Sequence, residues 1–192
     1  RTWTLKQNQG KSALLFINLL DEENLILDTV FPWPLDWFLR EQAGAFNSLG
    51  LIHPPLLTSR IIGQEIKARR TRPGQAGYFD ALQFLEHEDL FEAKGWAVLP
   101  HRQVSADALL LSYVDAAGRD IVFAVADVRR PRPNVAAYTR QAEYVHSGWT
   151  EYFSGDQLPG GPLRIRAWAF DNRDATVERL TRDFLLPDRK AK

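Results

Sequence analysis

At Gly77 the hydrophobic period of the chain changes from that of a helix to that of a strand, and this switch constrains the fold more than any other feature. Seven short alternating segments follow: "YFDALQFLE" (78–86), "LFEAKGWAVL" (90–99), "DALLLSYV" (107–114), "DIVFAVADV" (120–128), "SGWTEYFS" (147–154), "LRIRAWAF" (163–170) and "TVERLTRDF" (176–184). Turn chemistry such as "DAAGRD", "SGDQLPGGP" and "DNRD" separates them. Strands at this spacing, with no long helix between them, predict an antiparallel β-sandwich of jelly-roll or Ig-like type. "RRPRPNVAAYTRQAEYV" (129–145) reads as the long crossover such topologies need, with a helical turn at "NVAAYTR".

The first 76 residues read as a helical extension and linker, giving an α+β protein overall, with the sandwich over 77–187 and a disordered tail at 188–192. In "SALLFINLLDEENLILD", Leu15, Leu19, Glu22 and Ile26 fall at helical spacing behind a possible Ser12 cap. In "FPWPLDWFLREQAGAFNSLG", Pro34 suits a first turn, Gly50 a stop, and Leu35, Phe38, Leu39, Gln42 and Phe46 make a stripe. "TSRIIGQEIKARRTRPGQ" (58–75) reads as a short helical piece entering a Pro/Gly linker, and its basic run "KARRTR" as a solvated connector, with phosphate or lipid contact the less favoured alternative.

Composition removes several function classes. Lys plus Arg and Asp plus Glu are both 24, so no net field draws nucleic acid. There is no Cys, hence no disulfide, thiolate nucleophile or Cys-ligated metal. Apolar runs fall far below the roughly 20 residues that span a bilayer. The chain begins with Arg and contains no Met, so it is expected to be a piece of a larger protein.

Catalytic signatures are absent: no G-x-S-x-G, P-loop, G-x-G-x-x-G or H-E-x-x-H. His53, His87, His101 and His146 are scattered near expected turns and strand ends. "EHED" (Glu86, His87, Asp89) and "DNRD" (171–174) offer cation-binding oxygens, but read more simply as a hairpin tip and a β-turn. The sequence nominates no catalytic residue, metal ligand or cofactor.

The tryptophans are more informative. Alternation puts Trp96 beside Glu92 and Lys94, and Trp168 beside Arg164 and Arg166, on faces that ordinarily meet water. Trp149 lies on a third strand. One reading makes Trp96, Trp149, Arg164, Arg166 and Trp168 a ligand platform for stacking a sugar ring. The favoured reading buries Trp96 and Trp168 under Ser12–Gly50, whose Leu14, Leu15, Phe31, Trp33, Trp37, Phe38 and Phe46 need a surface to cover.

The order of "GWAVLP" (95–100), "RPNVAAY" (132–138), "SGW" (147–149) and "LPGGPLRIRAWAFD" (158–171) resembles a pattern of bacterial β-sandwich modules. These modules are attached to glycosyltransferases and polytopic membrane proteins of envelope polysaccharide assembly. The matching residues are Gly95, Trp96, Ala97, Arg132, Val135, Ser147, Gly148, Trp149, Leu158, Pro159, Gly161, Ala169 and Asp171, while Asn134 stands where the pattern has an acid. More loosely, the N-terminal part resembles the segment that follows the membrane region of proteins similar to dolichyl-phosphate-mannose-type glycosyltransferases.

The resemblance implies a non-catalytic extracytoplasmic domain, on the periplasmic side, of a membrane-embedded parent. Such a domain binds glycan or a partner protein, or stabilises the membrane part. The alternative is a carbohydrate-active jelly-roll enzyme or lectin-like fragment, marked by two carboxylates about 5 to 9 Å apart over a cleft.

Overall fold

The computed structural model describes residues 10–20 and 36–187. Glu22, Ile26, Phe31, Trp33 and the expected tail at 188–192 lie outside the described residues. Two sheets pack face to face, with helical segments added, in an α+β arrangement of β-sandwich type. The alternating segments become β2 (Gly77–Leu85), β3 (Leu90–Leu99), β5 (Ala108–Val114), β6 (Asp120–Ala126), β7 (Gly148–Phe153), β8 (Leu163–Asp171), β9 (Thr176–Arg179) and β10 (Phe184–Leu186). Two shorter strands are β1 (Lys67–Arg69) and β4 (Val104–Ser105).

The larger sheet runs β1-β9-β8-β5-β6, with β10 beside the start of β8. In the smaller, β3 pairs with β2 on one side and with β7 and β4 on the other. Pairing is antiparallel apart from β1 with β9, which are parallel. At one side the sheets are joined where Thr181 exchanges backbone hydrogen bonds with Gly77 and Phe79.

Alternation sorts the side chains as expected. Phe91, Ala93, Ala97 and Leu99 of β3 face Leu109 and Leu111 of β5 and Ile165, Ala167 and Ala169 of β8 in the inter-sheet core. A second core lies on the outer face of the larger sheet. There Ala13, Leu15, Phe16, Leu20 and Leu57 cover Leu110, Val122, Trp168, Phe170 and Val177. Phe16 meets Phe170 edge-on at 5.6 Å. The helical extension is therefore packed on the sandwich, through a helical stretch at 10–15 and the turns that follow it.

Helix α1 (Asp36–Ser48) packs through a different stripe from the one expected. Ala43 is buried against Ile17 and Leu56, with Leu39 alongside, while Phe38 and Phe46 remain exposed. A small residue lets the helix approach the chain closely, which a phenylalanine at that point would prevent.

Residues 58–75 also depart from expectation. They are extended, not helical: Ile61 bridges to Ile121, and Lys67–Arg69 join the larger sheet beside Thr176–Glu178. Ile66, fully buried, anchors this strand in the second core. The crossover does contain the expected helical turn, α2 (Pro133–Thr139), followed by a 3-10 turn at Ala142–His146.

Candidate functional site

The three tryptophans singled out in the sequence sit in three separate environments. Trp168, on β8, is 6% exposed in the second core, and its Nε1 donates to Ser112 Oγ at 2.9 Å. Trp96, 7% exposed, lies on the outer face of the other sheet with Val98. Among the described residues its cover is the crossover, through Val135 and Tyr144, and not residues 12–20 or 36–50, with Tyr78 beside it at 5.8 Å. Trp149 is 1% exposed between the sheets against Phe79, and its indole N–H has no acceptor among the described residues. The rings therefore form no common open platform. Each fills a space that an adjacent segment closes.

The two arginines are engaged as well. Arg166 donates to Asp120 at 2.8 Å and lies 3.5 Å from Asp183, while the more exposed Arg164 reaches Asp183 at 3.5 Å. Asp120 also accepts from Ser112 Oγ at 3.0 Å, so Trp168, Ser112, Asp120 and Arg166 form one chain of polar contacts. Asp183 additionally holds Arg179 at 2.5 Å.

Part of the set carrying the resemblance converges on the crossover, while Leu158, Ala169 and Asp171 lie elsewhere in the fold. Arg132, ahead of α2, donates to Asp80 at 2.8 Å and to the Gly95 carbonyl at 3.3 Å. Its amide donates to the Val145 carbonyl, and Arg129 and Arg130 both donate to the Gly148 carbonyl. Gly148 lies so close to this strap that an added Cβ would stand 2.8 Å from the Arg130 carbonyl. Gly95, Arg132, Gly148 and Trp96 thus bind the crossover to the smaller sheet, while Trp149 fills that sheet's inner face.

A cluster that sequence reasoning did not assemble closes one end of the inter-sheet core. His101 and Arg102 follow β3, Asp107 precedes β5, Asp171 ends β8 and Glu178 lies on β9. His101 Nδ1 is 2.8 Å from Glu178, and its Nε2 is 2.9 Å from Asp171. Arg102 donates to Asp107 at 2.6 Å and to Asp171 at 2.8 Å. All three carboxylates are buried, whereas about a third of the His101 side chain is exposed.

Burial opposes the charge on Asp171, but the Arg173 amide, His101 and Arg102 outweigh it and hold the carboxyl below its usual range. For Asp107 burial prevails over the Arg102 contact and lifts the carboxyl. Each ring nitrogen of His101 faces a carboxylate oxygen. Glu178 Oε2 and Thr176 Oγ1 are buried there without a hydrogen bond.

A second carboxylate pair stands where β6 faces β7. Glu151 shares the inward parity of Trp149 and Phe153 and keeps only a little surface in water, with protein crowding its carboxyl. Burial first, and the charge of Asp127 second, push Glu151 up to about 8. Burial lifts Asp127 too, against its ion pair with Arg129.

His87 and the rest of "EHED" occupy the β2–β3 hairpin, and "DNRD" forms the β8–β9 turn. Among the described residues no group of three or more His, Asp or Glu is arranged to hold a metal ion. No family model and no curated protein matches the chain.

Proposed function

We propose that the chain is an accessory β-sandwich module of a bacterial membrane protein of envelope glycan assembly, acting extracytoplasmically by binding and by stabilising its parent, not by catalysis. One observation carries this reading: six of the residues that give the resemblance, Gly95, Trp96, Arg132, Val135, Gly148 and Trp149, meet around β3, β7 and the crossover. Arg132 joins Gly95 to the crossover, the Gly148 carbonyl receives Arg129 and Arg130, and Trp96 and Trp149 fill the two sides of the smaller sheet. Residues so used define a module's shape and leave its surface free to serve a partner or a glycan. Compartment and parent rest on the resemblance alone. No helix among the described residues is long and apolar enough to cross a membrane.

The carbohydrate-active alternative draws support from Glu151 and Asp127. Burial and the neighbouring charge of Asp127 raise the Glu151 carboxyl, the direction a general acid of such an enzyme needs. One experiment separates the two. The chain is incubated with a panel of bacterial envelope oligosaccharides, following both saturable binding and release of new reducing ends. The accessory reading expects binding without turnover. Turnover that Glu151→Gln or Asp127→Asn abolishes overturns it in favour of the enzyme.

A further inference from the structure

The basic run "KARRTR" does not end as a solvated connector. Arg69 and Arg70 at the end of β1 come against Arg179 and Arg182 around β9, and together with Thr71 and Thr181 they line a cavity of 530 Å³. Parallel pairing brings this about: Arg69 stands opposite Glu178, so the residues that follow on each chain leave the sheet side by side. A volume of several hundred Å³ suits a small-molecule ligand.

The charge in this cavity is not balanced from within. Arg69 pairs with Asp174 at 2.5 Å, and Arg179 with Asp183 at 2.5 Å, but Asp183 is shared with Arg164 and Arg166. Arg70 and Arg182 have no carboxylate partner among the described residues. Arg182 donates to the Asp80 carbonyl at 3.1 Å and lies over the Phe184 ring at 4.4 Å, which fixes the guanidinium in place. Thr181 Oγ1 accepts from the Gly74 amide at 2.5 Å, leaving its proton to donate. In a chain whose acidic and basic residues balance at 24 each, a cavity lined by four arginines, two of them ion-paired, carries a local excess of positive charge.

We propose that this cavity binds the phosphate group of a small phosphorylated ligand. The planar fork of arginine matches phosphate oxygens in pairs, so Arg70 and Arg182, with hydroxyl donors beside them in the lining, suit a tetrahedral, doubly charged group better than a single carboxylate. The proposal stands apart from the accessory-module reading. Turnover in the oligosaccharide assay leaves it untouched, and its own failure leaves that reading untouched.

Pyrophosphate, a sugar 1-phosphate and citrate are titrated against the full chain by calorimetry at about 0.15 M ionic strength. In parallel, co-sedimentation is followed with phosphatidylglycerol and phosphatidylcholine vesicles. Saturable pyrophosphate binding, about tenfold weaker in Arg70→Ala and in Arg182→Ala, is expected from the loss of a charge-assisted contact in each. Arg70 makes no contact to Asp80 or Phe184, so Arg70→Ala keeps the test decisive if Arg182→Ala unfolds. Vesicle binding that pyrophosphate competes away places the phosphate on a lipid headgroup, and pyrophosphate binding without vesicle binding places it on a soluble ester. Absent pyrophosphate binding, binding unchanged in Arg70→Ala, or citrate bound as tightly as pyrophosphate overturns the proposal.

Discussion

Gly95 lies under the indole of Trp149 so closely that a Cβ added to the glycine would stand 2.9 Å from the ring, and 2.1 Å from the Tyr78 carbonyl on its other flank. Glycine at this point lets β2 and β7 both approach β3 while a large ring is stowed between the sheets. The Tyr78 contact is backbone and has no flexible end to give way. Gly95→Ala is therefore expected to cost about 3 kcal/mol, at the upper end for overpacking. Urea denaturation measures it, and a loss under about 0.5 kcal/mol, the range of an ordinary surface change, contradicts the close approach.

The two buried indoles Trp149 and Trp168 differ in their N–H groups. That of Trp168 donates to Ser112, and that of Trp149 has no acceptor among the described residues. Both Trp→Phe changes lose ring volume, but only Trp168→Phe also removes a made hydrogen bond, leaving Ser112 Oγ its donation to Asp120 but no indole donor. Trp168→Phe should be costlier by about 1 to 2 kcal/mol. Equal losses, in paired denaturation curves, rule out the asymmetry.

Trp96 and Trp168 have different covers, so their energetic partners differ. In double-mutant cycles, Trp96→Ala with Val135→Ala should show a coupling on the order of 1 kcal/mol, because the two side chains share one cluster. Trp96→Ala with Phe16→Ala should be additive, since Phe16 belongs to the core on the other sheet. Coupling in the second cycle and none in the first would restore Ser12–Gly50 as the cover of Trp96.

Glu151 and Asp171 shape the pH dependence in opposite senses. The folded state raises Glu151 from 4.5 to about 8, so its stabilising contribution is full below about pH 4.5 and is lost as pH rises through about 8. Glu151→Gln should flatten that decline, gaining on the order of 2 kcal/mol at pH 8. Asp171 is lowered from 3.8, so its contribution is present above that value and lost as pH falls below it. Asp171→Asn should cost about 3 kcal/mol at pH 7 by breaking a buried ion pair, and the difference from the parent should shrink in acid. Stability curves at several pH values check both signs.

Much of the sandwich was legible because its signal is local. Alternation over β3 gave its limits at Leu90 and Leu99, and the burial of Trp96 and Trp168 followed from the size of the ring. What escaped depends on partners remote in sequence. β1 is three residues among good helix formers, and it is extended only because Thr176–Glu178 offers a free edge. Val135 and Tyr144 looked like connector residues, and nothing near them tells that they roof Trp96. The His101 cluster draws on four separate stretches between residues 101 and 178, each of which alone is a turn or a strand end. The arginine cavity was hidden for the same reason: half of it is "KARRTR" and the other half lies more than a hundred residues on.

The parallel pairing of Lys67 with Thr176 also bears on the order in which the molecule is made. During synthesis β1 leaves the ribosome long before its neighbour exists, and at about 5 to 20 residues per second it waits several seconds for β9. Until then β1 has no strand to pair with and the edge of β8 stays bare. Closure across so long a loop is slow, so the last strands, and not the first, decide when this domain becomes resistant to proteases.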